Sequence, residues 1–157
     1  MARRGSVPSR QNPLASFSGL FAAVLLLSTP AFAFTVEGDQ ITASLTGAPG
    51  DAVRGQAIVG SRPIGLCVLC HAGPFGDDRF QGSIGPNLAG VGSRLVEGQI
   101  RLRVVDARRL NPDSPMPSYF NTEGLNRVAT SFQGRPILSA DEIENVVAYL
   151  ISLRAAP

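Results

Sequence analysis

Residues 67–71 read Cys-Val-Leu-Cys-His, the most chemically distinctive stretch of the chain. It holds both cysteines and the one histidine of the 157-residue sequence. Two cysteines are too few for a small domain held together by several disulfides. Two thiols and one imidazole also supply only three of the four ligands that a structural zinc ion takes. The stretch therefore needs an explanation other than a disulfide scaffold or a zinc site made by this chain alone.

The C-x-x-C-H spacing is typical of covalent haem attachment. Thiols three residues apart can reach the two vinyl groups on one edge of a porphyrin, and the next residue then places its imidazole over the iron. We therefore predict one haem c, with Cys67 and Cys70 as thioether donors and His71 as the proximal iron ligand. A thioredoxin-like disulfide, a metal site shared with a second chain and a coincidental cluster are the alternatives, although the Gly- and Pro-rich flanks lack the strand that a thioredoxin motif requires.

A second axial ligand is predicted at Met116. It is the one methionine apart from Met1, and it lies between Pro115 and Pro117. The two prolines restrict the backbone around it, and haem iron in electron carriers often takes a thioether opposite a histidine. A water, a tyrosine, an open position or a methionine that only fills a gap in the core are the alternatives.

The carbonyl of Pro86 is a candidate partner for the second nitrogen of His71. A metal-bound imidazole usually donates its other N–H to an acceptor that sets the orientation of the ring. Pro86 lies in the segment Gly-Pro-Asn-Leu at 85–88, and a proline carbonyl can accept a hydrogen bond although its nitrogen cannot donate one. An ordinary turn is the alternative for this segment.

The N-terminal 33 residues have the features of a secretory signal peptide. Arg3, Arg4 and Arg10 precede the apolar run 14–27, and Ala-Phe-Ala follows at 31–33. We predict cleavage after Ala33 and export to the periplasm, with an uncleaved anchor as the alternative. The remaining chain has 12 acidic and 11 basic residues, all of the latter arginine. This balance gives no support to nucleic-acid binding, and no membrane attachment is expected after cleavage.

The remaining 124 residues divide into a loop-like arm at 34–48, with a short strand considered near Ile41, and a domain at 49–157. Asp51 predicts the start of a helix that ends at Gly60. Residues 95–110 are ambiguous in period, but their length and the following Asn-Pro favour a helix. Ser139 and Glu142 form a capping box, which predicts a helix over about 140–154. We therefore predict an all-α fold, with these expected cavity walls: Leu66, Leu69, Leu88, Val91, Ile100, Val104, Phe120 and Val147.

These features together resemble the class I cytochromes c. The resemblance rests on CVLCH at 67–71, GPNLAG at 85–90, the PMP segment at 115–117, a first helix with Gly55 and a last helix with Tyr149. It implies helices and long loops around one covalently bound haem. It also implies that the first and last helices cross, with the glycine facing the aromatic side chain.

A narrower resemblance is to the SoxX family, on residues 49–55, 74–92, 97–120 and 134–150. SoxX is the monohaem subunit of the periplasmic SoxAX cytochrome complex, in which thiosulfate is coupled oxidatively to a cysteine of a carrier protein. The resemblance implies Met116 as distal ligand, a SoxA-like haem subunit as partner and a soluble cytochrome c as electron acceptor. It also implies that this chain transfers electrons and is not catalytic alone. A free monohaem cytochrome c shuttle, a haem enzyme or gas sensor with an open distal position and a thiol redox module are the alternatives.

Overall fold

The computed structural model describes residues 34–76 and 79–155, so the predicted signal peptide lies outside the described residues. Over these ranges the chain forms helices and loops without a β-strand. The strand considered near Ile41 does not form, because the hydrogen bonds there close a tight turn with a single bridge between Glu37 and Gln40. No helix in this part of the chain is long and apolar enough to cross a membrane. The α-helices are α1 (Ala52–Gly60), α2 (Val91–Arg94), α3 (Glu97–Asp106) and α4 (Ala140–Ser152), and short 3₁₀ helices span Cys67–Leu69, Ala107–Arg109 and Thr130–Phe132.

The predicted helix starts are confirmed by the side chains that cap them. The Asp51 carboxylate accepts hydrogen bonds from the backbone N–H groups of Val53 and Arg54, at 2.8 and 3.1 Å. The N–H of Arg54 is the main reason that the pKa of Asp51 lies below its ordinary value. At α4, Ser139 and Glu142 exchange the two hydrogen bonds of the capping box. Both helices therefore begin where the local sequence satisfies their free N–H groups.

Helices α1 and α4 cross at Gly55, as the resemblance implied. A Cβ atom at Gly55 would lie 1.9 Å from the carbonyl oxygen of Asn145 and 2.8 Å from the Cβ of Tyr149. No side chain larger than hydrogen fits there, so the glycine sets how closely the two helix backbones approach. The crossing places the first and last helices of the described chain in direct contact.

A buried ion pair joins α3, α4 and the arm. Arg101 is 1% exposed and Glu144 is 2% exposed, and two hydrogen bonds of 2.9 Å join the guanidinium to both carboxylate oxygens. The same guanidinium donates to the carbonyl of Ile41 at 2.8 Å, and Glu144 accepts the backbone N–H of Leu45 at 2.9 Å. Burial by itself would lower the pKa of Arg101, but Glu144, together with Glu97, more than offsets this and raises it. The arm is therefore attached to the helices through charged side chains in the interior.

Candidate functional site

A cavity of about 560 Å³ lies between α3, α4, the loop that carries Met116 and residues 67–71, which we call the Cys–His segment. This volume falls within the range of sites that hold a small molecule or cofactor, about 300–1,000 Å³. Its wall is mainly aliphatic. The four predicted haem-binding side chains and Pro86 all belong to that wall: Cys67, Cys70, His71, Met116 and Pro86.

The backbone around the two cysteines forms a short 3₁₀ helix that follows a left-handed residue. Leu66 has φ +60°, which turns the chain before Cys67–Leu69. The backbone N–H groups of Cys70 and His71 both donate to the carbonyl of Cys67, at 3.1 and 2.9 Å. Because this turn is closed by local hydrogen bonds, the two thiols and the imidazole reach the same cavity. Both cysteines are half-buried and unpaired.

His71 is oriented by Pro86, as the sequence predicted. The Nδ1 atom of His71 lies 2.8 Å from the carbonyl oxygen of Pro86. A carbonyl only accepts, so Nδ1 carries the hydrogen and Nε2 is left as the nitrogen that can bind a metal. The neighbouring Gly85 packs directly on the ring, because a Cβ there would lie 2.3 Å from His71 Cε1. The glycine and the proline therefore hold one face and one nitrogen of the imidazole.

Met116 reaches the cavity from the loop at residues 110–119, the methionine loop, which bonds other segments on the C-terminal side of Met116. Its N–H donates to the hydroxyl of Ser114 at 3.3 Å. Beyond it, Ser118 donates to the carbonyl of Val105 at 3.0 Å, and Tyr119 accepts the N–H of Ile137 at 2.8 Å. The methionine loop is thus attached to the end of α3 and to the segment that precedes α4.

Tyr119 was not singled out from the sequence, although it lies in the cavity wall next to Cys67. It is 3% exposed, and its hydroxyl donates to the carbonyl of Gly65 at 2.6 Å. The Cys67 Sγ atom also donates to this carbonyl, at 3.2 Å. Burial raises the pKa of Tyr119 above its ordinary value, with a further contribution from Cys67. Its position three residues after Met116 is the one local signal that it belongs to the site.

The pKa of the Cys67 thiol is raised, chiefly by burial. Reactive cysteines of redox motifs have lowered pKa values, because the thiolate is the nucleophile. A half-buried thiol with a raised pKa does not suit rapid thiol–disulfide exchange. This observation weighs against the thioredoxin-like alternative for the Cys-x-x-Cys spacing.

Six of the eight predicted apolar wall residues line the cavity, and two predictions are wrong. Phe120 turns away from it and packs its ring against Phe34, with ring centroids 6.3 Å apart. Val147 is 1% exposed and lies in the core on a different side of α4, because Val146 and Leu150 supply the face that meets the cavity. Two arginines that the sequence did not single out, Arg94 and Arg103, also contribute to the wall.

No protein-family model and no curated protein sequence matches the chain. Among solved structures, the chain is similar to a chain of the "Crystal structure of SoxXA from P. pantotrophus", with 36% sequence identity and a TM-score of 0.71. The match covers 78% of this chain and 95% of that chain. This protein belongs to the SoxX family. The SoxX assignment therefore rests on almost the whole length of the solved chain, and not on the five-residue Cys–His segment alone.

Proposed function

We propose that this SoxX-family chain is a periplasmic c-type cytochrome that transfers electrons within a SoxAX-like complex. One observation carries the proposal: the two thiols, the imidazole and the thioether predicted from the sequence line one largely aliphatic cavity. These side chains come from segments as far apart as residues 67 and 116. Their meeting in one cavity is what a class I cytochrome c fold around a single haem requires.

The residues present fit a covalently bound haem c. Cys67 and Cys70 would hold the porphyrin through thioether bonds, and His71 and Met116 would ligate the iron. The fit is supported by the His71–Pro86 hydrogen bond of 2.8 Å, which leaves Nε2 as the metal-binding nitrogen. It is also supported by Gly85, whose missing side chain makes room for the imidazole.

A haem c bound here would supply an iron that accepts and releases one electron at a time. The chain's own residues hold the proposed iron ligands in position. Pro86 and Gly85 hold the imidazole in one orientation, and the hydrogen bonds around Ser118 and Tyr119 hold the methionine loop. Aliphatic side chains such as Ile100 and Val104 line the cavity, and an apolar lining disfavours water. A thioether ligand raises the reduction potential of the iron, which suits an electron acceptor.

The partner and the direction of electron flow are inferred from the family. The solved relative is named as the SoxXA complex, and we infer a SoxA-like haem subunit as the partner of this chain. This chain has two cysteines, and both are assigned to the haem, so none is left for sulfur chemistry. The oxidative coupling of thiosulfate to a carrier-protein cysteine is accordingly assigned to the partner. This chain would take up the electrons and pass them to a soluble cytochrome c.

The test is to express the full chain in a bacterium that attaches haem c and to purify it from the periplasm. We expect an intact mass with one added haem, a mature N-terminus at Phe34 and a pyridine haemochrome spectrum of the c type. A Cys67→Ser/Cys70→Ser variant is the control and should carry no covalent haem. An exported wild-type chain without an added tetrapyrrole would refute the proposal.

The assembly is tested separately, by co-expression with the cognate SoxA-like subunit. We expect the two chains to co-purify and to elute together from a sizing column. A stable monomer that does not bind this subunit, and that unrelated donors reduce, would favour a free cytochrome c shuttle instead.

A further inference from the structure

A second cavity, of about 280 Å³, lies on the other side of the methionine loop. Met116 contributes to the walls of both cavities, together with Pro115 and Pro117. The opposite wall of the second cavity is formed by the segment 125–137. Cys67, Cys70 and His71 line only the first cavity, so the second has no part in the proposed haem site.

Three arginines contribute to the wall of this cavity: Arg108, Arg127 and Arg135. None of the described residues that form the wall is acidic, while Ser114 and Asn126 add polar groups. A concave site with guanidinium groups and no carboxylate in its wall has a positive potential.

Only Arg108 has its charge balanced nearby. Its Nε atom lies 3.3 Å from the carboxylate of Asp106, which Arg109 also approaches, at 3.7 Å. In the described part of the chain, neither Arg127 nor Arg135 has an ion-pair or hydrogen-bond partner for its guanidinium. Two guanidinium groups at one cavity therefore remain available to an external anion.

The backbone at Arg127 adds a second, independent observation. Arg127 has φ +58°, the left-handed region that residues with a side chain rarely adopt, whereas Gly124 and Gly134 take up such angles without strain. A strained residue held at a cavity wall points to a functional role for its side chain. Here the strained residue is one of the two unpaired arginines.

From this geometry we propose that the cavity formed by the methionine loop and residues 125–137 binds a small divalent oxyanion through Arg127 and Arg135. Guanidinium groups match the oxygen pairs of such anions, and each planar group can donate two parallel hydrogen bonds. The concave shape and the volume near the lower end of small-molecule sites favour a small ion over a flat protein surface. The proposal concerns this cavity alone, and it stands whether or not the first cavity holds a haem.

The test is calorimetric titration of the full exported chain with sodium sulfate, against sodium chloride at matched ionic strength. We expect saturable binding of one sulfate that chloride does not reproduce. Arg127→Gln and Arg135→Gln should each weaken this binding about tenfold or more, since each removes a charged hydrogen-bond donor. The control is Arg54→Gln, a mostly exposed arginine on α1 outside the cavity wall, which should bind sulfate as the wild type does.

Arg127→Gly separates a binding role from a structural one. Glycine adopts φ +58° without strain, so this variant should be at least as stable to heat as the wild type in chloride. It should nevertheless lose the stabilisation by sulfate that the wild type gains from ligand binding. The proposal is overturned if the wild type binds no sulfate, or if Arg127→Gly binds it normally. It is also overturned if the arginine variants weaken only the association with the SoxA-like subunit, because the cavity would then be a protein-docking site.

Discussion

At the scale of single residues, Met116 is the side chain whose assignment can be tested most directly. Met116→Leu keeps the volume of the side chain but removes the sulfur. We expect the variant to retain covalent haem, to lose the near-infrared band of a thioether bound to ferric iron and to have a lower reduction potential. The measurements are the near-infrared spectrum and a redox titration.

Val104→Ala is the control for Met116→Leu. Val104 also lines the cavity but offers no donor atom, so the variant should keep the near-infrared band. A band that survives in Met116→Leu would show that the second ligand comes from elsewhere.

Tyr119 gives a pH dependence of stability. Burial raises its pKa above the ordinary value of 10.0, so the folded state holds the phenolic proton more tightly than the unfolded state does. This contribution is complete below about pH 10 and is lost progressively as the pH rises further. We expect the free energy of unfolding to fall with pH in the alkaline range, measured by urea denaturation at a series of pH values.

Tyr119→Phe should flatten this alkaline fall. At neutral pH the variant also loses the hydrogen bond to the Gly65 carbonyl, which we expect to cost about 1 kcal/mol. The control is Tyr149→Phe. The Tyr149 hydroxyl donates to the carbonyl of Pro74 at 2.7 Å, and burial raises its pKa as well. Because Tyr149 is less deeply buried than Tyr119, this variant should flatten the alkaline fall less. If the free energy of unfolding fell equally with alkaline pH in the wild type and in Tyr119→Phe, the fall could not be attributed to Tyr119.

At the scale of the elements, the crossing of α1 and α4 depends on Gly55. An alanine there gains helix propensity, about 1 kcal/mol. Its methyl group, however, would lie 1.9 Å from a backbone carbonyl oxygen of α4, and the backbone cannot move aside as a side chain can. We expect Gly55→Ala to destabilise the fold by about 1–3 kcal/mol or more, measured by thermal unfolding.

Gly60→Ala is the matched control on the same helix. A methyl group at Gly60 meets only the carbonyl oxygen of Phe75, at 3.2 Å. We expect a change of less than about 1 kcal/mol there. Similar losses at both positions would mean that the crossing is not the reason for the glycine at 55.

At the scale of the whole molecule, the Arg101–Glu144 pair attaches the arm to the helices. Glu144→Gln would remove the buried charge opposite Arg101 and leave the exposed Glu97 as its one ion-pair partner among the described residues. We expect a loss of about 3–5 kcal/mol in the free energy of unfolding. We also expect the backbone amide of Leu45, which donates to Glu144, to lose its protection against hydrogen exchange.

Glu97→Gln is the control for the buried pair. Glu97 also bonds Arg101, but its side chain is 57% exposed. We expect a loss of about 1 kcal/mol or less and unchanged exchange at Leu45. Equal effects of the two variants would show that burial of the pair is not what attaches the arm.

The features that could be predicted correctly from the sequence are mainly those that depend on neighbouring residues. The Cys-x-x-Cys-His spacing, the Asp51 cap and the Ser139–Glu142 capping box act within a turn or two of chain, so their geometry follows from local hydrogen bonding. Pro86 and Met116 are not local to His71 and were named on other grounds: Met116 is the one methionine apart from Met1, and Pro86 offers a carbonyl that can accept a hydrogen bond. Six of the eight predicted apolar wall residues were right, and the prediction failed at Phe120 and Val147, where a small rotation of the chain decides which side chain faces the cavity.

Most contacts between distant segments follow from the folded structure and could not be predicted from the sequence. Tyr119 bonds Gly65, Arg101 bonds Glu144, and Arg127 and Arg135 line one cavity together with Met116. The burial of an arginine and the positive cavity behind the methionine loop have no local sequence signal, because charge balance and solvent exposure depend on which segments pack together. Local hydrogen bonds depend on the spacing of residues along the chain, whereas desolvation depends on how the whole chain folds.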